Sequence, residues 1–256
     1  MGSYYLRAFH KRWFDLHMED GVHLEDVSDA ITGFSVSGPK AAAILQSLAE
    51  IDLSDIKMMN CTTCDLGIHR VRLARLSLSG EVAFEVSCTA TEHASLRKTL
   101  LAAGESHGMR EIGFWAMLSM RLEKSIGVWN AEFTQSYTPA QTGLDRWIAW
   151  DKGDFIGKEA AQNAGAPKQV VAMLEVDADD ADAVGFEPVW HGDRKVGTTT
   201  SGGYGHRLKR SFAMAMIDRE LALPGTELNV HIMGELRPAN VIEKSPYDPG
   251  GGRMRS

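Results

Sequence analysis

Residues 113–161 read GFWAMLSMRLEKSIGVWNAEFTQSYTPAQTGLDRWIAWDKGDFIGKEAA. Phe114, Met117, Leu118, Leu122 and Ile126 recur at spacings of three and four, which predicts an amphipathic helix over the first part of the stretch. Arg121 falls inside that apolar stripe. A charge on an inner face requires a partner, because an unpaired buried charge is costly. A structural ion pair and a snorkelling side chain are the two ordinary solutions. After Gly127 the periodicity stops. Trp129, Phe133 and Tyr137 follow in a polar loop that ends at Pro139. An apolar run from Leu144 to Trp150, a charged turn at Asp151-Lys152-Gly153-Asp154 and a helix start at Gly157-Lys158-Glu159 complete the stretch.

Towards the N-terminus, Thr91 to Gly108 reads as a helix with Thr91 as N-cap, Leu96, Leu100 and Ala103 as its core face and Gly108 as its C-cap. Before it, Gly67 to Leu78 and Glu81 to Cys88 read as a hairpin joined at Ser79-Gly80. Side chains alternate along a strand. Val82, Phe84 and Val86 therefore point one way and Ala83, Glu85 and Ser87 the other. Glu85 lies between two small residues on its own face, which leaves room for a flat ligand; a solvated, outward glutamate is the plainer reading. Cys61-Thr62-Thr63-Cys64 is a lone CxxC. A structural zinc site needs about four ligands, so ordinary thiols are the expectation and no metal site is assigned. Ile31 to Ser37 reads as a strand, with Gly38-Pro39 opening a helix behind it, and Val22 to Val27 as a shorter strand. Leu6, Phe9, Trp13 and Leu16 mark one face of an N-terminal helix.

On the other side, Gln162 to Lys168 (QNAGAPK) is a polar linker and the best domain boundary. Strands are expected at Val170–Val176, Pro188–Trp190, Val196–Thr200, Ser211–Ile217, Glu227–Met233 and Ala239–Glu243. Short strands with turn signals between them argue for a small barrel. The acidic run Asp177 to Asp182 lacks the glycine and spaced glutamate of a calcium loop. Arg207, Lys209 and Arg210 read as a solvated loop.

The chain has 256 residues, 44% hydrophobic and 24% charged, with a formal net charge of -7. These are globular values. A net acidic chain without a basic run is a poor nucleic-acid binder, and no apolar stretch approaches the length of a membrane span. Three cysteines fit a reducing compartment, hence a cytoplasmic location.

Several of these pieces carry a family resemblance. MRLEKSIGVW, TPAQTGL and DKGDFIGKEA in the central stretch, Gly80-Glu81-Val82-Ala83-Phe84-Glu85-Val86, the Gly38-Pro39 element, the Thr200–Tyr204 turn (TSGGY) and Ser245-Pro246-Tyr247-Asp248-Pro249 resemble the folate-binding aminomethyltransferases. That family includes the T-protein of the glycine cleavage system. The similarity is greater to the C-terminal region of dimethylglycine and sarcosine dehydrogenases. The resemblance covers nearly the whole chain, but only the latter portion of the family.

It implies an α+β fold: a ferredoxin-like folate-binding portion over 1–165, then a C-terminal antiparallel β-barrel over 166–256. It also implies tetrahydrofolate as cofactor and one-carbon (aminomethyl) transfer from a methylated amine in dimethylglycine, sarcosine or glycine catabolism. A non-catalytic folate-binding module and a folate-dependent O- or S-demethylase are the other functions this resemblance allows. Glu85 corresponds to the glutamate that binds the pterin ring. A carboxylate suits that role, because the pterin edge offers an amino group and a ring N–H side by side. Arg121, Trp129 and Tyr137 are the further cofactor contacts expected, Trp129 either as a stacking wall or as a core residue.

The chain departs from T-proteins in three places. Leu78 stands at a usual aromatic, and Met117 at a ligand-binding arginine, which points to the dehydrogenase-linked branch. Gln141 replaces a common glutamate. The family's catalytic aspartate belongs to an N-terminal portion with no match here, so no catalytic residue is assigned. A flavin (FAD) is expected only on a separate domain or partner subunit. The chain itself is read as part of a larger enzyme.

Overall fold

A computed structural model describes residues 4–255. The chain forms two compact units, Met1–Gly113 with Gly251–Ser256, and Phe114–Gly250.

The first unit runs α1 (Tyr4–His17), β1 (Ile31–Ser37), α2 (Ala41–Gln46), β2 (Cys61–Leu66), β3 (His69–Ala74), β4 (Ala83–Thr89) and α3 (His93–Gly104). Its four strands pair antiparallel in the order β1-β4-β3-β2. Val36, Val71, Leu73, Phe84 and Val86 from one sheet face join Leu45 of α2 and Leu96 and Leu100 of α3 in a single core. The period-two alternation of β4 thus buries one set of side chains under the helices and leaves Glu85 exposed on the other face. Gly33 is obligatory in β1, since a Cβ there would lie 2.3 Å from the Val86 carbonyl oxygen.

Three local expectations are corrected. Residues 22–27 form no strand. Asp26 accepts hydrogen bonds from the Ser28 amide (3.0 Å) and hydroxyl (2.6 Å) and from Arg7, and this side-chain turn competes with a ladder. The expected hairpin forms as the antiparallel pair β3–β4, but its connection spans residues 75–82 around Ser79-Gly80 instead of a two-residue turn, and β2 and β3 make a further hairpin at Gly67-Ile68. β3 and β4 pair only from Arg72 to Ala74, because the Ser77 hydroxyl holds the connecting loop by donating to the Glu81 carbonyl (2.7 Å). Thr91 does not cap α3. It lies in a 3₁₀ turn, Ala90–Glu92, that precedes the helix. Along α1, Phe9, Trp13 and Leu16 are exposed, and the side chain of Leu6 lies outside the described residues.

The second unit opens with α4 (Phe114–Glu123), passes through α5 (Pro139–Thr142) and α6 (Lys158–Asn163), and enters β5 (Gln169–Val176), β6 (Pro188–His191), β7 (Arg194–Gly205), β8 (Arg210–Asp218), β9 (Glu227–Ile232) and β10 (Glu235–Ile242). These strands close into a barrel in the order β10-β5-β8-β7-β6-β9, as the turn-punctuated sequence predicts. β8 is apolar at successive positions because both of its faces are covered. Ala213, Ala215 and Ile217 fill the barrel. Phe212, Met214 and Met216 pack outside it against Leu122 of α4. β7 is longer than expected and changes register between Thr199 and Ser201. The glycines of its TSGGYG run serve close packing. A Cβ on Gly202 would meet the Ala183 carbonyl oxygen at 2.3 Å, and one on Gly205 would meet Glu123 and Phe212 within 2.8 Å. Among the described residues, no helix is long and apolar enough to cross a membrane.

Candidate functional site

Glu85 occupies the centre of the exposed sheet face in the first unit. Its directly paired neighbours are Ser35 on β1 and Ala74 on β3. Cross-strand partners share a face, and so do Ala83 and Ser87, two residues away along β4. A carboxylate is thus surrounded in all four directions by side chains no larger than serine. Among the described residues, Glu85 has no hydrogen-bond or ion-pair partner. Ala83 is covered, so the accessible floor is Ser35, Ala74 and Ser87 around one bidentate acceptor. It accommodates a planar ring that presents paired N–H donors. Arg72, paired with Ser87, is the cation nearest in register on this face, and it donates to the Cys61 sulfur (3.6 Å).

The CxxC resolves simply. Three residues apart on β2, the two thiols point to opposite faces: Cys61 is exposed and Cys64 is buried. Burial pushes the Cys64 thiol above its usual pKa.

In the second unit Arg121 finds the partner its position demands. Its guanidinium, with the side chain 4% exposed, donates to Glu132 (3.2 Å) and to the Ile126 carbonyl (3.2 Å). Burial lowers the Arg121 pKa and Glu132 opposes that shift. Glu132 is fully buried. One of its oxygens accepts from Arg121 and from the Val128 amide (3.0 Å); the other accepts from the Thr200 and Ser201 hydroxyls of β7 (2.6 Å each). One carboxylate therefore fastens the turn after α4 to the barrel wall.

That turn carries Trp129, 51% exposed and edge-on to Phe133 with ring centroids 6.1 Å apart. Tyr137 is half-buried against the outer barrel cluster. It borders a cleft of about 250 Å³ with Gln169, Lys195, Thr198 and Met216. Gln141 serves the local structure, completing a capping box with Thr138 at the start of α5. Lys124 is buried and donates to the Tyr247 carbonyl (3.1 Å) and to Asp248, which accounts for the SPYDP segment. Sequence reasoning missed Glu132 and Lys124. The signal that could have found Glu132 was the need of Arg121 for a nearby carboxylate within an aromatic turn.

The GCVT N-terminal domain family matches residues 3–152, and the glycine cleavage T-protein C-terminal barrel domain matches 168–248. The chain belongs to the glycine cleavage T-protein family. Within this T-protein family it is 30% identical over 241 residues to human mitochondrial dimethylglycine dehydrogenase, covering 91% of this chain and 28% of that one. It is 31% identical over 242 residues to an aminomethyltransferase of Halalkalibacterium halodurans, covering 93% of this chain and 66% of the relative. The T-protein fold recurs in the crystal structure of the glycine cleavage system aminomethyltransferase T of Bartonella henselae. That match has a TM-score of 0.76 at 21% identity and covers 86% of this chain and 60% of that one. The chain thus spans under a third of the human dehydrogenase and about two thirds of the bacterial transferase.

Proposed function

We propose that this chain supplies the tetrahydrofolate-binding part of a one-carbon transfer enzyme. The reaction is aminomethyl transfer in the breakdown of glycine or of a methylated glycine such as dimethylglycine or sarcosine. The observation that carries this reading is the unpartnered carboxylate of Glu85 on a floor of small side chains. Glu85 holds the donor edge of the pterin, and the floor of Ser35, Ala74 and Ser87 admits the ring. Bound folate would supply the nucleophilic N5 that accepts the one-carbon unit. Trp129 offers a stacking surface and Tyr137 a further aromatic contact. Arg121, enclosed by Glu132 and the barrel, contributes by holding the turn that presents Trp129.

In this reading residues 1–165 form the folate-binding portion and 166–256 the barrel domain. The partner is a flavin-dependent dehydrogenase domain or subunit, which oxidises the methylated amine before transfer. The resemblance to dimethylglycine dehydrogenase supports that branch, as does Met117 in place of an arginine.

Calorimetry with tetrahydrofolate is the test. Glu85→Ala is expected to weaken binding by about 1–3 kcal/mol, the scale of a lost charged hydrogen bond. An unchanged dissociation constant would place the pterin elsewhere. Formation of methylene-tetrahydrofolate from an oxidised methylamine, at a rate above the spontaneous condensation with free formaldehyde, separates a transferase from a folate-binding module.

A further inference from the structure

The Trp129 turn is held in an unusual way. Within residues 126–133, Ala131 and Phe133 donate to the Val128 carbonyl (3.3 and 3.1 Å), Asn130 donates to the Phe133 carbonyl (3.3 Å), Trp129 and Phe133 form an isolated bridge, and Asn130 adopts a left-handed φ of 69°. Gly127 is confined as well, since a Cβ there would meet the Phe133 ring at 2.6 Å and the Glu132 side chain at 3.0 Å. What ties the turn to the rest of the unit is a side chain inside it. Glu132 reaches the Val128 amide one residue before Trp129, the guanidinium at the end of α4 and two hydroxyls on β7.

We infer that Glu132 is a positioning residue for the folate contact. By tying the turn to Arg121, Thr200 and Ser201 at once, it holds Trp129 at a fixed height and orientation. This rests on the reading of Trp129 as a stacking surface for folate.

The physical reason is preorganisation. A half-exposed indole on a loose loop would have to be ordered by each ligand that arrives, and that ordering subtracts from affinity. A buried carboxylate bonded on both oxygens removes the cost beforehand, because every alternative turn geometry strands either the charge or its donors. The aromatic partner follows the same logic: Phe133, the next residue, supports the Trp129 ring edge-on. Two adjacent residues therefore fix the backbone and the ring of one contact.

The test uses the full chain labelled with 5-fluorotryptophan, with the Trp129 fluorine resonance assigned by its loss in Trp129→Phe. In Glu132→Gln the Trp129 resonance is expected to shift and broaden without ligand, while the other tryptophan signals stay in place. Ser201→Ala, which removes one of the four donors, should produce the same change at smaller amplitude. It also serves if Glu132→Gln fails to fold.

Tetrahydrofolate affinity, read by calorimetry, should fall on the order of tenfold or more in Glu132→Gln, as misplacement of a contact implies. The loss should vanish in a Trp129→Leu background, as a double-mutant cycle requires of two residues acting as one. An unmoved Trp129 signal in a folded Glu132→Gln chain overturns the positioning role. So does an affinity loss that persists undiminished without the indole. Absence of binding by the unmodified chain overturns instead the folate reading of Trp129, and the fluorine signal then decides by itself whether Glu132 holds the turn.

Discussion

Glu85 and Glu132 are the same amino acid under opposite constraints. Glu85 has small neighbours and, among the described residues, no bond. Glu132 has four donors and no solvent. Their alanine variants should therefore separate cleanly. Glu132→Ala leaves Arg121 buried without its counter-charge and is expected to destabilise the fold by about 3–5 kcal/mol, read from urea unfolding. Glu85→Ala should stay within about 0.5 kcal/mol of the unmodified chain while losing ligand affinity. Gly202 sets a third residue-scale case. An added methyl meets the Ala183 carbonyl oxygen at 2.3 Å, and neither backbone can yield without shifting a strand. Gly202→Ala should cost about 1–3 kcal/mol in the same measurement. The exposure of Glu85 was legible from alternation alone. The partners of Arg121 were not, since two of the groups around Glu132 lie on β7, some 70 residues downstream.

Among elements, those defined by their own sequence were read correctly and those decided by a neighbour were not. β1, β5 and β8 lie where apolar alternation or an apolar run put them. Residues 22–27 alternate just as well, yet they form a turn around Asp26 because its carboxylate has local donors within reach. Ser28 first, and then Arg7, hold that carboxyl well below the usual carboxylate range. Its contribution is thus complete above the ordinary carboxylate pKa and is lost as pH falls through the depressed value. Arg7 lies in α1, so the clamp also tethers that helix. Asp26→Asn should lower the amide-exchange protection factors of α1 near neutral pH, and acidification through the depressed carboxyl value should lower them in the unmodified chain. Protection factors in α1 that do not respond to either change would show that the helix is held by other contacts.

At the scale of the molecule, the unit Phe114–Gly250 has a barrel and a core of its own. Its barrel is closed, with no free sheet edge. Its interior and outer clusters draw on residues within the unit, and the Arg121–Glu132 network lies wholly inside it. Residues 114–250 expressed alone are expected to give a strand-rich circular dichroism spectrum and one cooperative thermal transition. A molten, gradual transition would show that the barrel depends on the rest of the chain.

By itself the sequence determined the α+β class, a small barrel of short strands, the outward face of Glu85 and the family, because periodicity and short motifs are local and survive in one dimension. Only the tertiary structure decided that residues 22–27 turn around Asp26 instead of pairing, and that a single glutamate joins the aromatic turn to β7. Those outcomes depend on which distant groups arrive beside a polar atom, and a buried charge takes its identity from whatever the fold brings to it.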